Sequence, residues 1–258
     1  MRPFKFIFSV LFILSVVAWR APVATFWWAS PTGSGTSCGT ASLSPSGTPC
    51  LLQAAYNQAA PGDTVILRGG TYTGKFGFST DTTAGNETTI RSYCAYLVGG
   101  CPANPSEWAK IDGYVHTTLN GEIDSSTTTL TLTDGSQFSQ NDVVWIGDDG
   151  SAPAESLLLW TKSGNQFGPG NIRGYNGTTP TSHGNGAVVR NDSPVVTIDG
   201  NYTILRDVEV FSSLPIRSWN FTQSDPSLYA SQGVRIFADH VSLINVIIHD
   251  TRDAIFSN

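Results

Sequence analysis

The chain has 258 residues, with 14 Lys+Arg against 20 Asp+Glu, a formal charge of −6 and charged residues at only 13%. Low charge beside 40% hydrophobic residues excludes a disordered chain, and an acidic balance without any Lys/Arg run excludes a surface built for nucleic acid. The abundance of Gly, Ser, Thr and Asn predicts many turns and strands rather than long helices.

At the N-terminus, Arg2 and Lys5 precede the apolar run Phe6–Trp19, and small residues follow at Ala18, Ala21 and Ala24. This is the pattern of a signal peptide over residues 1–24, too short for a comfortable membrane span. No other run approaches a span, so no stable span is expected after cleavage, and the protein is expected to be secreted or held at the cell surface. In an oxidising compartment the even set Cys38, Cys50, Cys94 and Cys101 reads as disulfides. Three connectivities are open; the simplest pairs sequence neighbours, Cys38–Cys50 and Cys94–Cys101. No zinc-ligand spacing is present and no His lies nearby.

Residues 30–50 form a Ser/Thr/Gly/Pro arm. Thr48-Pro49 then reads as an N-cap with Pro in the first helical position, opening a helix over 51–60 whose stripe is Leu51, Leu52, Ala55 and Ala59 and which stops at Pro61-Gly62. Thr64–Leu67 is a β-branched strand ended by Gly69-Gly70, and short strands are predicted at 71–73, 75–78, 88–91 and 110–112. Residues 114–194 break this rhythm, with strand candidates in STTTLTLTDGSQF and DVVWIGDD. Ile111-Asp112-Gly113 before that block and Ile198-Asp199-Gly200 after it look like successive segments of one pattern, so 114–194 is expected to be an inserted small β domain. From 195 strands recur near 195–198, 202–211, 233–237 and 241–249. Ile204-Leu205 and Val208 align with Leu243-Ile244 and Ile247, and Val234 aligns with Ile255. Strands recurring about every 20 residues with turns between are the signature of a stacked solenoid. The chain stops at Asn258 in mid-pattern, which reads as a solenoid incomplete at its C-terminus.

LLQAAYNQAAPGDTVILRGGTYTG resembles the N-terminal capping helix and first coil of secreted right-handed parallel β-helix proteins of the pectate-lyase-like superfamily. FWWASPTGSGTSCGT resembles the segment before that cap, and VVTIDGNYTILRDVEVF and VSLINVIIHDTRDAI resemble later coils. NIRGYNGTTPTSHGNGAVV resembles a β-rich module of phage structural and bacterial secreted proteins. The resemblance implies an all-β fold: a parallel β-helix over 25–113 and 195–258 with the module 114–194 inserted. It also implies binding, with or without cleavage, of a polysaccharide by a lyase- or hydrolase-type protein; the alternative is a non-catalytic adhesin or phage-tail-like structural protein.

The candidate binding residues lie on the flank of strands 206–210 and 245–250. Asp207 and Glu209 are two apart on one predicted strand, so they share a face; paired carboxylates serve as acid and base or hold Ca²⁺ through hard oxygen ligands. His249 and Asp250, next to Arg252 and Asp253, sit at a turn suited to proton transfer or to plain turn chemistry. Arg217 and Trp219, in the 212–232 loop, offer a charge and an apolar platform. Trp27, Trp28, Trp108, Trp145 and Trp160 pin loops or meet sugar rings, and His183 reads as a fold residue of the module. The expected buried set is Val65, Leu67, Ile90, Ile111, Val196, Ile198, Ile204, Val208, Val234, Ile236, Leu243, Ile247 and Ile255.

Overall fold

The computed structural model describes residues 24–44, 47–147, 154–214 and 231–257; the predicted signal peptide therefore falls almost wholly outside the described residues. Most elements are short strands, with few helices. Three sheets are built by parallel pairing. The first aligns Phe26–Ala29, Thr64–Leu67, Thr88–Ser92, Thr203–Arg206 and Ser242–Ile244; the second Gly70–Thr73, Ala109–Asp112, Val208–Phe211 and Ile247–Ile248; the third Phe76–Phe78, Val196–Ile198, Val234–Ile236 and Ile255–Ser257. The chain visits first, second and third sheet in turn on every rung, so residues far apart in sequence lie side by side.

This register follows from side-chain alternation. Val65, Leu67, Ile90, Ile111, Val196, Ile198, Leu205, Val208, Val210 and Val234 are fully enclosed in one apolar cluster, and each buried aliphatic side chain contributes roughly 1.5–3 kcal/mol. The sequence alignment of the later rungs is one residue out. Leu205 pairs with Leu243 and Val210 with Ile248, so Ile204 faces Ser242 and Glu209 faces Ile247. A one-residue slip moves every side chain to the other face of a strand. Ile204 is therefore half-buried, and Ile247, expected inside, is 44% exposed. Val234 does pair with Ile255, but Ile255 is exposed, with a strand on one side only among the described residues.

The helix spans Leu52–Gln58 and buries Leu52, Ala55 and Tyr56, with Tyr56 packed on Phe78 at 4.8 Å. Thr48-Pro49 does not cap it. Leu51 is the cap residue, extended and without a side-chain bond; Pro49 and Cys50 instead give their carbonyls to the arm, to Ser34, Gly35 and Ser30. Cys38 bonds Cys50 and Cys94 bonds Cys101, with Cα separations of 5.7 and 4.6 Å. The second bond closes a loop that covers the outer face of the first sheet, where Tyr93 meets Trp28 and Arg91 lies over Tyr96.

Residues 115–189 hold a second apolar cluster of their own. Here the pairing is antiparallel: Val115–Thr118, Val188–Asn191, Val143–Ile146 and Glu155–Leu158 form one sheet, and Leu130–Thr131, Gln166–Phe167 and Lys162–Ser163 a smaller one. At its centre Glu155 accepts from Arg173 at 2.6 and 2.7 Å and lies 3.3 Å from the Nε2 of His183, which is 2% exposed. Among the described residues no helix is long and apolar enough to cross a membrane.

Candidate functional site

The predicted strand 202–211 is two strands. Asp207 stands between them with φ 57, turning the chain from the first sheet to the second, and Asn245 does the same on the next rung with φ 52. Asn245 Nδ2 donates to Asp207 Oδ1 at 3.0 Å, and Oδ2 accepts from Arg91 and Arg206 at 3.0 and 2.8 Å. Burial alone would push the Asp207 carboxyl up, but the bonds from Asn245 and Arg206 and the two guanidinium charges hold it below its ordinary value. Asp207 and Glu209 thus do not share a face: alternation applies within a strand, and a left-handed corner interrupts it.

Glu209, His249 and Asp250 do come together on the outside of the second sheet. Glu209 is in register with Lys110, which in turn is in register with Thr71. Lys110 Nζ lies 3.2 Å from Glu209 Oε2, His249 Nε2 3.0 Å from Glu209 Oε1, and His249 Nδ1 2.8 Å from Asp250 Oδ2. Partial burial lowers the imidazole's pKa, but the two carboxylates outweigh it and leave it above the ordinary value. The ring sits between the carboxylates, so they do not converge as Ca²⁺ ligands do. No cluster of His, Cys, Asp and Glu among the described residues is arranged to hold a metal ion. Arg217 and Trp219 lie outside the described residues.

A cleft of about 740 Å³ lies elsewhere, between the first rung and residues 136–142 and 193–194. Its walls carry Thr71, Thr73, Gln53, Ser136, Gln137 and Thr197, with Phe76 half-buried among them. Its volume falls within the roughly 300–1,000 Å³ of small-ligand sites. Gln53 bonds both backbone groups of Gly77, which satisfies the free edge of the first rung there. Gly77 lines the cleft, and a Cβ built on it would meet nothing within 4 Å. No backbone constraint explains this glycine; its missing side chain leaves the floor open.

Deeper in, Lys75 Nζ donates to the Ser193 carbonyl at 2.6 Å and to Ser231 Oγ at 2.7 Å. These three residues occupy the second-to-third-sheet corner on three successive rungs, and the strands Val115–Thr118 and Val188–Asn191 of the antiparallel sheet begin and end beside that corner. Burial pushes the Lys75 ammonium down to about 7, against the pull of Asp192 and Asp142. Burial raises both of those carboxyls as well; Asp142 is held by Ser139, Ser193 and Asn191.

The floor of the cleft continues along the outside of the third sheet. Gly77, Thr197, Arg235 and Phe256 are in register on four adjacent strands. The Arg235 guanidinium carbon lies 4.1 Å from the Phe237 ring centre and 5.9 Å from that of Phe256, and both rings are exposed. Sequence reasoning missed this column. Alternation in Val234-Arg235-Ile236 carries the signal that Arg235 faces out, but nothing local says that Gly77 and Thr197 are its neighbours.

No family model matches the chain, and no curated protein matches it. Among solved structures it is similar to an alginate lyase from Paenibacillus sp. str. FPU-7, at 14% identity over 88% of this chain and 37% of that one, TM-score 0.37. It is also similar to XylC in complex with xylose, at 13% identity over 87% of this chain and 40% of that one, TM-score 0.38. A third is the gp54 tailspike of Acinetobacter baumannii bacteriophage AP22 in complex with capsular saccharide, at 12% identity over 72% of this chain and 31% of that one, TM-score 0.22. The chain spans 37% and 40% of the length of the first two.

Proposed function

We propose that the chain is an exported polysaccharide-binding protein, wound as a right-handed parallel β-helix with residues 114–194 inserted as a separate module. The observation that carries the binding role is the cleft of about 740 Å³ walled by hydroxyl and amide side chains, with an aromatic ring, opening onto an in-register column along the stack. Hydroxyls, amides and a ring face are the groups that meet a sugar's hydroxyls and C–H faces. Adjacent strands lie about 4.8 Å apart, so the column offers equivalent positions to successive units of a polymer. Two disulfides fit an oxidising compartment.

The test is calorimetric titration with a panel of neutral and acidic oligosaccharides, using two blocking variants from opposite walls, Gly77→Trp and Gln137→Trp. Binding that is lost in both at unchanged melting temperature supports the reading; binding that neither variant alters removes the cleft.

A second reading adds cleavage, favoured by the His249 chain. A histidine whose protonated form is favoured by Glu209 and Asp250 can act as a general acid. Turnover that falls as pH rises through the raised His249 pKa, and is lost in His249→Gln, supports it. Binding without turnover leaves the adhesin or tail-like role.

A further inference from the structure

We propose that Arg235 forms a subsite for an anionic group carried on a saccharide, a ring carboxylate or a sulfate ester, at the end of the column that begins in the cleft. This rests on the polysaccharide-binding reading and names its substrate class.

Most of the described arginines are held against a carboxylate. Arg68 bonds Glu107, Arg91 and Arg206 bond Asp207, Arg173 bonds Glu155 and Arg252 lies against Asp253. Arg235 has no carboxylate partner among the described residues, and its Nε is enclosed without a hydrogen bond. Its contacts are the faces of Phe237 and Phe256. Stacking on rings fixes the plane of a guanidinium, and with Nε enclosed the paired Nη groups are the end that matches a carboxylate or sulfate in bidentate fashion. Its in-register neighbours, Thr197 and Phe256, are uncharged, so no adjacent side chain in the column neutralises it. The exposed rings give the sugar an apolar surface beside the charge. In a chain of net charge −6, a cation on an outer face with no carboxylate partner among the described residues is a specific feature rather than part of a general positive field.

The test uses acidic oligosaccharides of several backbones, each with its neutral counterpart: uronate oligomers with their methyl esters, sulfated oligomers with their desulfated forms. Titrations are run on the whole chain, on Arg235→Gln and on Arg235→Lys, with melting temperature recorded for each. At least one acidic oligomer should bind about tenfold tighter than its neutral form, a difference of about 1.4 kcal/mol. Arg235→Gln should erase that preference and flatten its salt dependence, so that the acidic and neutral forms bind alike. Arg235→Lys should restore only part of it, since an ammonium lacks the planar fork. Neutral oligomers binding as well as acidic ones, or an acidic preference that survives Arg235→Gln, overturns the inference while the binding reading stands. Failure of every oligosaccharide to bind overturns both.

Discussion

The rung stack and the 115–189 cluster handle charge in opposite ways. The smaller cluster places the Glu155–Arg173 ion pair beside the buried His183, and Arg173 also donates to the carbonyls of Asp124, Thr127 and Thr181. The stack keeps its interior cluster apolar and sends its ions to corners and outer faces. In the first region the charges are architecture, since each is used up in joining loops. In the second the corner ions Lys75 and Asp207 are likewise spent on structure, and the two outer faces differ: Lys110, Glu209, His249 and Asp250 satisfy one another, whereas Arg235 has no carboxylate partner among the described residues and stacks on Phe237 and Phe256. Charge already spent internally binds weakly, so the third sheet and the cleft are the places to look for recognition.

The largest expected effect breaks the internal cluster. Burial would raise the Glu155 carboxyl, but bonds from Arg173 and His183 hold it at about 2, below its ordinary 4.5. Glu155→Ala should cost about 3–5 kcal/mol by leaving Arg173 buried and unpaired, seen in chemical denaturation followed by Trp145 and Trp160 fluorescence. The same depressed pKa makes this contribution complete above pH 4.5 and lost as pH falls from there towards 2. A variant as stable as the parent would mean that the region does not depend on its central ions.

Lys75 comes next, because it joins the two regions. Its folded pKa of about 7 lies below the ordinary 10.5, so the unfolded chain binds more protons between those values. Stability should therefore rise with pH from about 7 to 10.5, at no more than about 1.4 kcal/mol per pH unit. Lys75→Met should remove that rise. An identical pH slope in the variant would show that the corner is not held through this ammonium.

A smaller loss is expected at the corner between the first and second sheets. Asp207→Ala leaves the Arg91, Arg206 and Asn245 donors short of an acceptor, at about 1–3 kcal/mol. Asp207→Asn should recover part of it. The smallest effect belongs to the outer ion chain. His249 is raised above 6.5, so its stabilisation is full below that pH and fades as pH rises through its folded value. The side chain is 40% exposed, and solvent screening limits His249→Gln to a few tenths of a kcal/mol.

Much of the stack is legible in the sequence because its determinants are local. Thr64–Leu67 and Val196–Ile198 announce strands by composition and alternation, and the cysteine pairs close short loops. What escapes is set by partners at a distance. The register between Leu205 and Leu243 is set by the length of the path between the two rungs, since the offset is the same on both sides of the Asp207 corner, and a left-handed corner at φ 57 is marked less plainly by aspartate than by glycine. The cleft is assembled from residues 53, 71–77, 136–142 and 193–197, and Lys75 finds its acceptors 118 and 156 positions away. Asp207, Glu209, His249 and Asp250 stand out in the sequence by residue type alone, which favours the second sheet over the third. A lone outward Arg235 between two buried-type aliphatics shows its meaning only when its carboxylate-free surroundings are seen.

Hydrogen–deuterium exchange with and without a saturating oligosaccharide that the chain binds separates the two faces most directly. New protection is expected in 71–78, 136–142, 193–198 and 233–237, the walls and floor of the cleft and the column beyond it. Protection confined to 206–211 and 245–250, with the cleft segments unchanged, would contradict that expectation.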